Sequence, residues 1–512
     1  RLLENFSNVE ILANSHLLKI IKCFSDNTKS IVIGDSKHIF SVPFQQYSFS
    51  FSFLGINIPI KLSRNSYRKI KNFVESTLGR IFDLWFSEKK LKKSVLFLEF
   101  NPEQYTDLFN HLSKTKKNIV LLNTRRPAIW NFNSIKLLKK FNCKIITPKY
   151  FLSKFEKNSI SKILKQYDKK IENLWIHDEA FFNLFTIENY SIWPIIKDTL
   201  LQVYKERLQD YIELIIFCRK ISKKLDLSCM ISLNVFGETE KTMLKINDKI
   251  PSILLEHGFT NYVPELSLFD ISNMYPLFKD KIALWGDIQK DYLVKQKNIS
   301  NEKILSVGSP RHDVFFNKNI EIKNESITIL IIPGQLDESN AIYDTRLFLK
   351  YEMLLKKLFS VLKSIPNISY LVKLHPSLQK NNLYVKNIIQ KIDSNIIINQ
   401  FSNILDDIQS SSIIINIFTE LFPSTALLEG LLLKKPILNL CLHDYDYEFE
   451  FEKDKAVLSV KYNDNLKINI EKILFDKNFQ SLLINNGTQH TKRYLSNPGT
   501  ASQKLASILN SF

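Results

Sequence analysis

Short apolar runs rich in Ile, Val, Leu and Phe alternate along the whole chain with longer stretches in which apolar positions recur every three or four residues. Runs of the first kind, bounded by turn residues, predict strands, and the longer period predicts helices. In the first half residues 30–33, 94–100, 118–123, 144–147, 229–235 and 252–256 read as strands. In the second half residues 282–285, 304–307, 327–332, 370–374, 396–398, 413–417 and 436–440 do. Polar residues hardly interrupt these runs, the pattern of parallel strands covered by helices on both faces. A helix is predicted over residues 195–224, where Leu201, Tyr204, Leu208, Tyr211 and Leu214 share one face.

Strands alternating with helices specify an α/β protein, and 512 residues exceed what one hydrophobic core organises. Two Rossmann-like halves are expected. Asn, Pro and charged residues break the pattern between Asn273 and Lys281, which places the boundary between an N-terminal domain of residues 1–275 and a C-terminal domain of residues 276–512. A last helical stretch, about residues 492–512, is expected to return to the first domain.

Composition narrows the function. Apolar residues make up 45% and charged residues 24%, a globular balance, and no apolar run is long enough to predict a spanning helix. The five cysteines are scattered, with no CxxC pair and no histidine at ligand spacing, which points to a reducing cytoplasm and no structural zinc. The net charge of +18 suits phosphate-bearing ligands or an anionic membrane face, although a Lys-, Ile- and Asn-rich composition is equally the footprint of an AT-rich genome. Dispersed lysines without a recognition pattern argue against nucleic acid. The segment 67–93 mixes basic residues with Phe73, Phe82, Trp85 and Phe86, so it reads either as a face for the inner side of an anionic bilayer or as a solvated helix over a core.

In parallel sheets ligands collect at the carboxyl ends of the strands. Here those ends carry Glu256, His257 and Gly258; Gly308, Ser309, Pro310, Arg311, His312 and Asp313; Pro333 and Gly334; His375 and Pro376 after the strand residue Lys373; and Ser424 with Thr425. Any one of these is an ordinary loop residue, but five such ends in register line one cleft. Ser424 and Thr425 suit a helix start, whose free N–H groups favour phosphate, and Glu429 one turn on can accept hydrogen bonds from ribose hydroxyls.

The segment GSPRHD after a strand, His257-Gly258, Lys373 with His375-Pro376, and Ser424 through Glu429 follow one another as in the CDP-glycerol glycerophosphotransferases and related capsule and surface-carbohydrate transferases, which this stretch resembles. The resemblance covers about residues 252–440 and implies a GT-B architecture, two Rossmann-like domains facing across a cleft, with an acceptor domain first and a nucleotide-donor domain second. The chain departs from that family in Glu256 before the His-Gly pair and in Phe418, Thr419, Glu420 and Leu421.

Transfer from a nucleotide donor needs a base for the acceptor hydroxyl and positive charge on the departing phosphate. His257 is the first candidate base, with Glu238 second and His177-Asp178 third. Arg311, Lys373 and His375 are candidates to act on the phosphate, His375 also as a catalytic group, beside Gly308, Ser309, Gly334, Ser424, Thr425 and Glu429 as nucleotide or phosphate ligands. No metal or other cofactor is expected, since Asp444-Tyr445-Asp446 lies in an acidic loop that reads as solvated. The leading expectation is a metal-independent glycosyltransferase, cytoplasmic or on the inner membrane face. It would move a sugar from a CMP-, CDP-, UDP- or GDP-linked donor to a glycan or lipid-linked acceptor. The alternatives are a CDP-polyol phosphotransferase, a sugar-nucleotide epimerase and a non-catalytic carbohydrate-binding scaffold.

Overall fold

The computed structural model describes residues 9–13, 28–32, 46–53, 56–84, 91–146, 152–177, 179–187, 189–259, 262–264, 277–317, 327–334, 346–376, 382–419, 424–442, 447–462 and 464–512. These form two compact units, residues 1–46 with 148–221, and residues 47–147 with 222–512. In the first unit Val9–Ala13 pairs in parallel with Thr28–Val32, and Trp193 stacks on Phe181 and Phe185 with Trp175 tilted against them.

The second unit holds two parallel sheets. The first comprises β1 (Leu91–Leu98), β2 (Asn118–Leu122), β3 (Lys144–Ile146), β4 (Leu225–Ser232), β5 (Ser252–Leu255), β6 (Lys281–Leu284) and β7 (Ile304–Ser306), in spatial order β3-β2-β1-β4-β5-β6-β7. The second comprises β8 (Ile327–Ile332), β9 (Ile368–Lys373), β10 (Ile397–Asn399), β11 (Ile413–Phe418), β12 (Ile437–Cys441) and β13 (Leu458–Lys461), in order β10-β9-β8-β11-β12-β13. Both are the Rossmann order, with the strand direction of travel reversing beside β1 and beside β8. The fold is α/β of GT-B type. Residues 273–281 do not separate the halves: β6 pairs with β5 from Ile253↔Lys281 onward and β7 pairs with β6, so the expected boundary at 275/276 falls inside the first sheet. Turn residues accompany a connection between paired strands as readily as a linker between domains.

The helices used below are α1 (Arg64–Ile81), α2 (Thr106–Ser113), α3 (Glu238–Ile246), α4 (Asp287–Lys297), α5 (Leu347–Lys363), α6 (Thr425–Leu432), α7 (Lys477–Tyr494) and α8 (Ala501–Ser511). Every residue of β5, β11 and β12 is buried, which is why these strands read as continuous apolar runs. One apolar cluster joins Leu254, Ile282 and Leu284 of the first sheet to Leu330, Ile414 and Ile437 of the second, so the sheets share a core. The expected final helix is two elements. After α7 the chain crosses to the first sheet, where Leu505 and Leu509 of α8 pack with Phe97 and Leu108.

That return clamps the loop after β7. Ser496 N donates to Trp285 O at 2.6 Å, and the Asp313 carboxylate accepts from Ala501 N at 3.2 Å and Ser502 N at 2.7 Å, capping α8. Gly308 has φ +91°, and a Cβ there would lie 2.1 Å from Ser496 O, so only glycine fits. Among the described residues no helix is long and apolar enough to cross a membrane. Cys143, Cys218, Cys229 and Cys441 are buried.

Candidate functional site

The first sheet builds its carboxyl end around buried carboxylates. Glu99, just past β1, is a non-glycine residue at φ +64°, a conformation that costs about 1–3 kcal/mol and persists where its surroundings over-determine it. Its carboxylate accepts from Thr124 N at 2.7 Å, Thr124 Oγ1 at 2.8 Å, Arg125 N at 3.0 Å and Arg126 N at 3.1 Å. Downstream, Glu75 of α1 accepts from Ala128 N at 2.5 Å and pairs with Lys71 at 2.9 Å, while Lys71 Nζ donates to Asn123 O at 2.6 Å. The segment beyond β2 is thus gripped from both ends. It presents Arg125 and Arg126 on a fixed backbone.

Arg125 pairs with Glu240 in the first turn of α3. Burial pushes the Glu240 carboxyl up to about 7 against the opposing pull of Arg125, and its Oε2 has no partner. Gly237 makes room for it, since a Cβ there would lie 2.1 Å from that oxygen. The Arg126 guanidinium is exposed and has no hydrogen-bond or ion-pair partner among the described residues.

His257 follows β5. Its ring is partly exposed, but Nδ1 is buried without a partner. Burial, then Arg126, Arg311 and Arg125 in that order, hold its pKa down at about 3, so the imidazole is neutral in the unliganded protein. The neighbouring Glu256 turns the other way. It accepts from Tyr262 Oη at 2.6 Å and Trp285 N at 2.7 Å, and burial raises its carboxyl to about 8.

Arg311 joins the sheets. Its Nη1 donates to His257 O at 3.1 Å, and its Nη2 lies 3.2 Å from Oε1 of Glu429 on α6. Burial raises the Glu429 carboxyl, but His312 and Arg311 more than offset this, and its pKa lies below the ordinary value. His312 is held neutral chiefly by burial; Ser309 Oγ sits 2.7 Å from its Nδ1, and its Nε2 lies 3.6 Å from Glu429 Oε1. Ser424 caps α6 by accepting from Ala426 N at 3.2 Å, and Thr425 Oγ1 accepts from Phe259 N at 3.4 Å, a second bond between sheets. The structure therefore brings together His257, Ser309, Arg311, Thr425 and Glu429, with Gly308 and Ser424 holding the backbone.

Other expected residues are placed differently. Lys373 is bound within the second sheet, with Nζ donating to Gln400 O at 3.2 Å, Ser402 O at 2.5 Å and Ser402 Oγ at 2.8 Å, and lying 3.4 Å from Asp407. His375 is exposed beyond β9, its carbonyl accepting from Asn382. Gly334 (φ +66°) sits at the reversal point of the second sheet, where a Cβ would meet Ile417 O at 2.3 Å. Glu238 opens α3 and is half-buried. Asp178 and Asp444-Tyr445-Asp446 lie outside the described residues, and nothing is described of the His177 side chain. A depression of about 460 Å³ between α5 and Ile388–Ile392 is lined by Lys356, Lys363 and Lys391, on helices flanking the second sheet. Sequence reasoning missed Glu99, Arg125, Arg126 and Glu240. The signal for the arginines was present: the run Asn123-Thr124-Arg125-Arg126 follows a strand as the other chosen segments do.

No family model and no curated protein matches the sequence. Among solved structures, the chain is similar to the UDP-GlcNAc 2-epimerase of Methanocaldococcus jannaschii, determined with UDP-GlcNAc and UDP, at 15% identity and a TM-score of 0.46 over 82% of this chain and 100% of that one. It is similar to the wall teichoic acid polymerase TagF at 13% identity and a TM-score of 0.44, over 88% and 96% of the two chains. A third likeness is to Anabaena Alr3699/HepE in complex with UDP-glucose, at 10% identity and a TM-score of 0.42, over 82% and 100%. At these values the likenesses add nothing to what the strand order already establishes.

Proposed function

We propose that the chain is a GT-B transferase that moves a sugar from a nucleotide-activated donor to a glycan or lipid-linked acceptor without a metal. The observation that carries this reading is Arg311, bonded at once to the backbone of His257 on one sheet and to Glu429 on the other. It gathers a candidate base, a cation and a capped helix start into one group.

In this reading the nucleotide enters by exchanging partners. Its ribose hydroxyls take the Glu429 carboxylate, and its phosphate takes the Arg311 guanidinium and the N-terminus of α6. The leaving phosphate then gains charge against groups already in place. His257 accepts the proton of the acceptor hydroxyl. Its pKa of about 3 belongs to the unliganded cluster. An anionic donor beside the arginines offsets the charges that depress the ring and moves it toward the range where a base works at neutral pH.

The exposed stripe Ile70, Phe73 and Val74 of α1, with Lys69 and Arg80 also exposed, supports an anionic membrane face as the place of work. Transfer of a polyol phosphate from a CDP-linked donor uses the same groups, and product analysis separates the two. The reading is tested by thermal shift with CDP, CMP, UDP and GDP. One of them is expected to raise the melting temperature, because a ligand that binds only the folded state stabilises it. No response to any of the four counts against a transferase.

A further inference from the structure

We propose that Arg126, with Arg125, forms an anion subsite on the first sheet that takes the phosphate or carboxylate group of the acceptor, apart from the nucleotide end of the cleft at Glu429. This rests on the transferase reading above and goes beyond it by naming the acceptor's chemical class.

Strand order separates the two anion sites. Arg125 and Arg126 follow β2, three strands from β5 on one side, whereas Arg311 follows β7, two strands from β5 on the other. The charges that act on His257, at the end of β5, thus come from both directions along the strand order. Arg311 pairs with Glu429 and Arg125 with Glu240, but the Arg126 side chain makes no ion pair among the described residues and acts on Glu240 only through space. Arg125 keeps 42% of its side chain exposed even in its ion pair. Three guanidinium groups around one neutral ring repel one another, and an anion between them relieves that repulsion.

The backbone is built to hold this arrangement. Four donors bonded to Glu99, itself in the left-handed region, and the grip of Glu75 and Lys71 fix the segment that carries both arginines. The strained backbone of Glu99 is retained next to Arg126, the guanidinium of the three that makes no ion pair among the described residues. The charged and titratable groups bearing on His257 are Arg126 and Arg125 from beyond β2 and Arg311 from beyond β7, with Glu429 and His312 behind Arg311. An acceptor anchored by its anion at Arg126 extends its hydroxyl to His257 with the oxygen facing the donor, so that this oxygen bonds to the donor carbon as the bond to the leaving phosphate breaks and His257 takes the proton.

The test is NMR of histidine-labelled protein at pH 7, with the His257 ring assigned through His257→Gln. Inorganic phosphate and glucuronate are titrated separately at constant ionic strength, and nucleotide binding is read in parallel by thermal shift. The expected result is a saturable shift of the His257 ring with at least one probe, weakened at least tenfold in Arg126→Gln, while that variant keeps its nucleotide response within twofold. Phosphate alone would identify a phosphorylated acceptor and glucuronate alone an acidic glycan. An unchanged response in Arg126→Gln, or no response to either probe, overturns the proposal. Equal loss of nucleotide and phosphate binding overturns it too, by assigning Arg126 to the donor site. Absence of nucleotide binding in the wild type, with the phosphate response intact, instead removes the transferase reading.

Discussion

Both sheets run in the same strand order, yet the segments that follow β1, β2, β4 and β5 carry Glu99, Arg125, Arg126, Glu240, Glu256 and His257, while Lys373 ends β9 and the segments after β8 and β11 carry Gly334 and Thr419. On the first sheet the charged groups grip backbone so that other charged groups stand free, as Glu99 does for Arg126. On the second sheet the charge turns inward: Lys373 holds the loop 400–402 and Asp407. Small residues and a helix cap are left at the reversal point. The fold alone thus gives two equivalent crevices, and the side chains make them unequal. The proposed function uses one for proton transfer and anion binding and the other for close approach of a ligand to backbone and helix start.

The largest effect that would break or sharpen this contrast is expected where the two ends meet. Glu429→Ala leaves Arg311 and His312 facing an empty site, and unfolding in urea should show a loss of about 3–5 kcal/mol, as for a buried pair with one partner removed. A loss under about 1 kcal/mol would mean that the bond between the sheets is incidental.

Next comes Lys373→Met, expected to cost about 1–3 kcal/mol because Asp407 and the carbonyls of Gln400 and Ser402 lose their donor. Nucleotide affinity should change less than threefold. A large affinity loss without a stability loss would restore Lys373 as a phosphate ligand and erase the contrast.

Glu256 tests the first sheet by pH. Its folded pKa of about 8 lies above the unfolded value, so the folded state keeps a proton that the unfolded chain releases. The resulting stabilisation is complete below about pH 4.5 and fades as pH rises toward 8. Urea titrations of Glu256→Gln should lack that decline. Parallel curves for both proteins would show that the carboxyl titrates normally. The smallest effect is that of Arg126→Gln, expected to stay within about 0.5 kcal/mol of wild type in the same assay because the guanidinium is exposed and unpaired.

Much of this was readable from residue order. Continuous apolarity located β1, β2, β4 and β8 to β12 but not β13, and polar residues at strand ends and a helix start singled out His257, Arg311 and Glu429, which the fold does bring together. Lys373 was legible as an odd residue in a buried strand, but a sequence does not show whether such a group faces a ligand or a neighbouring loop. Glu99 gives no signal at all, because its role depends on a left-handed backbone and on donors from a different strand end. Asp313 looks like part of a ligand loop and instead caps α8, a partner fixed only when the chain returns to the first sheet. The boundary at 275/276 misled for a related reason: turn residues mark any loop, and only pairing tells a linker from a connection inside a sheet.

The most direct test of the central claim is a calorimetric titration of the nucleotide that stabilises the wild type, run on wild type, Glu429→Gln and Lys373→Met. The account predicts at least a tenfold loss of affinity, about 1.4 kcal/mol, for Glu429→Gln and less than threefold for Lys373→Met. Unchanged affinity in Glu429→Gln, or a larger loss in Lys373→Met, would contradict a nucleotide site built where Arg311 joins the two sheets.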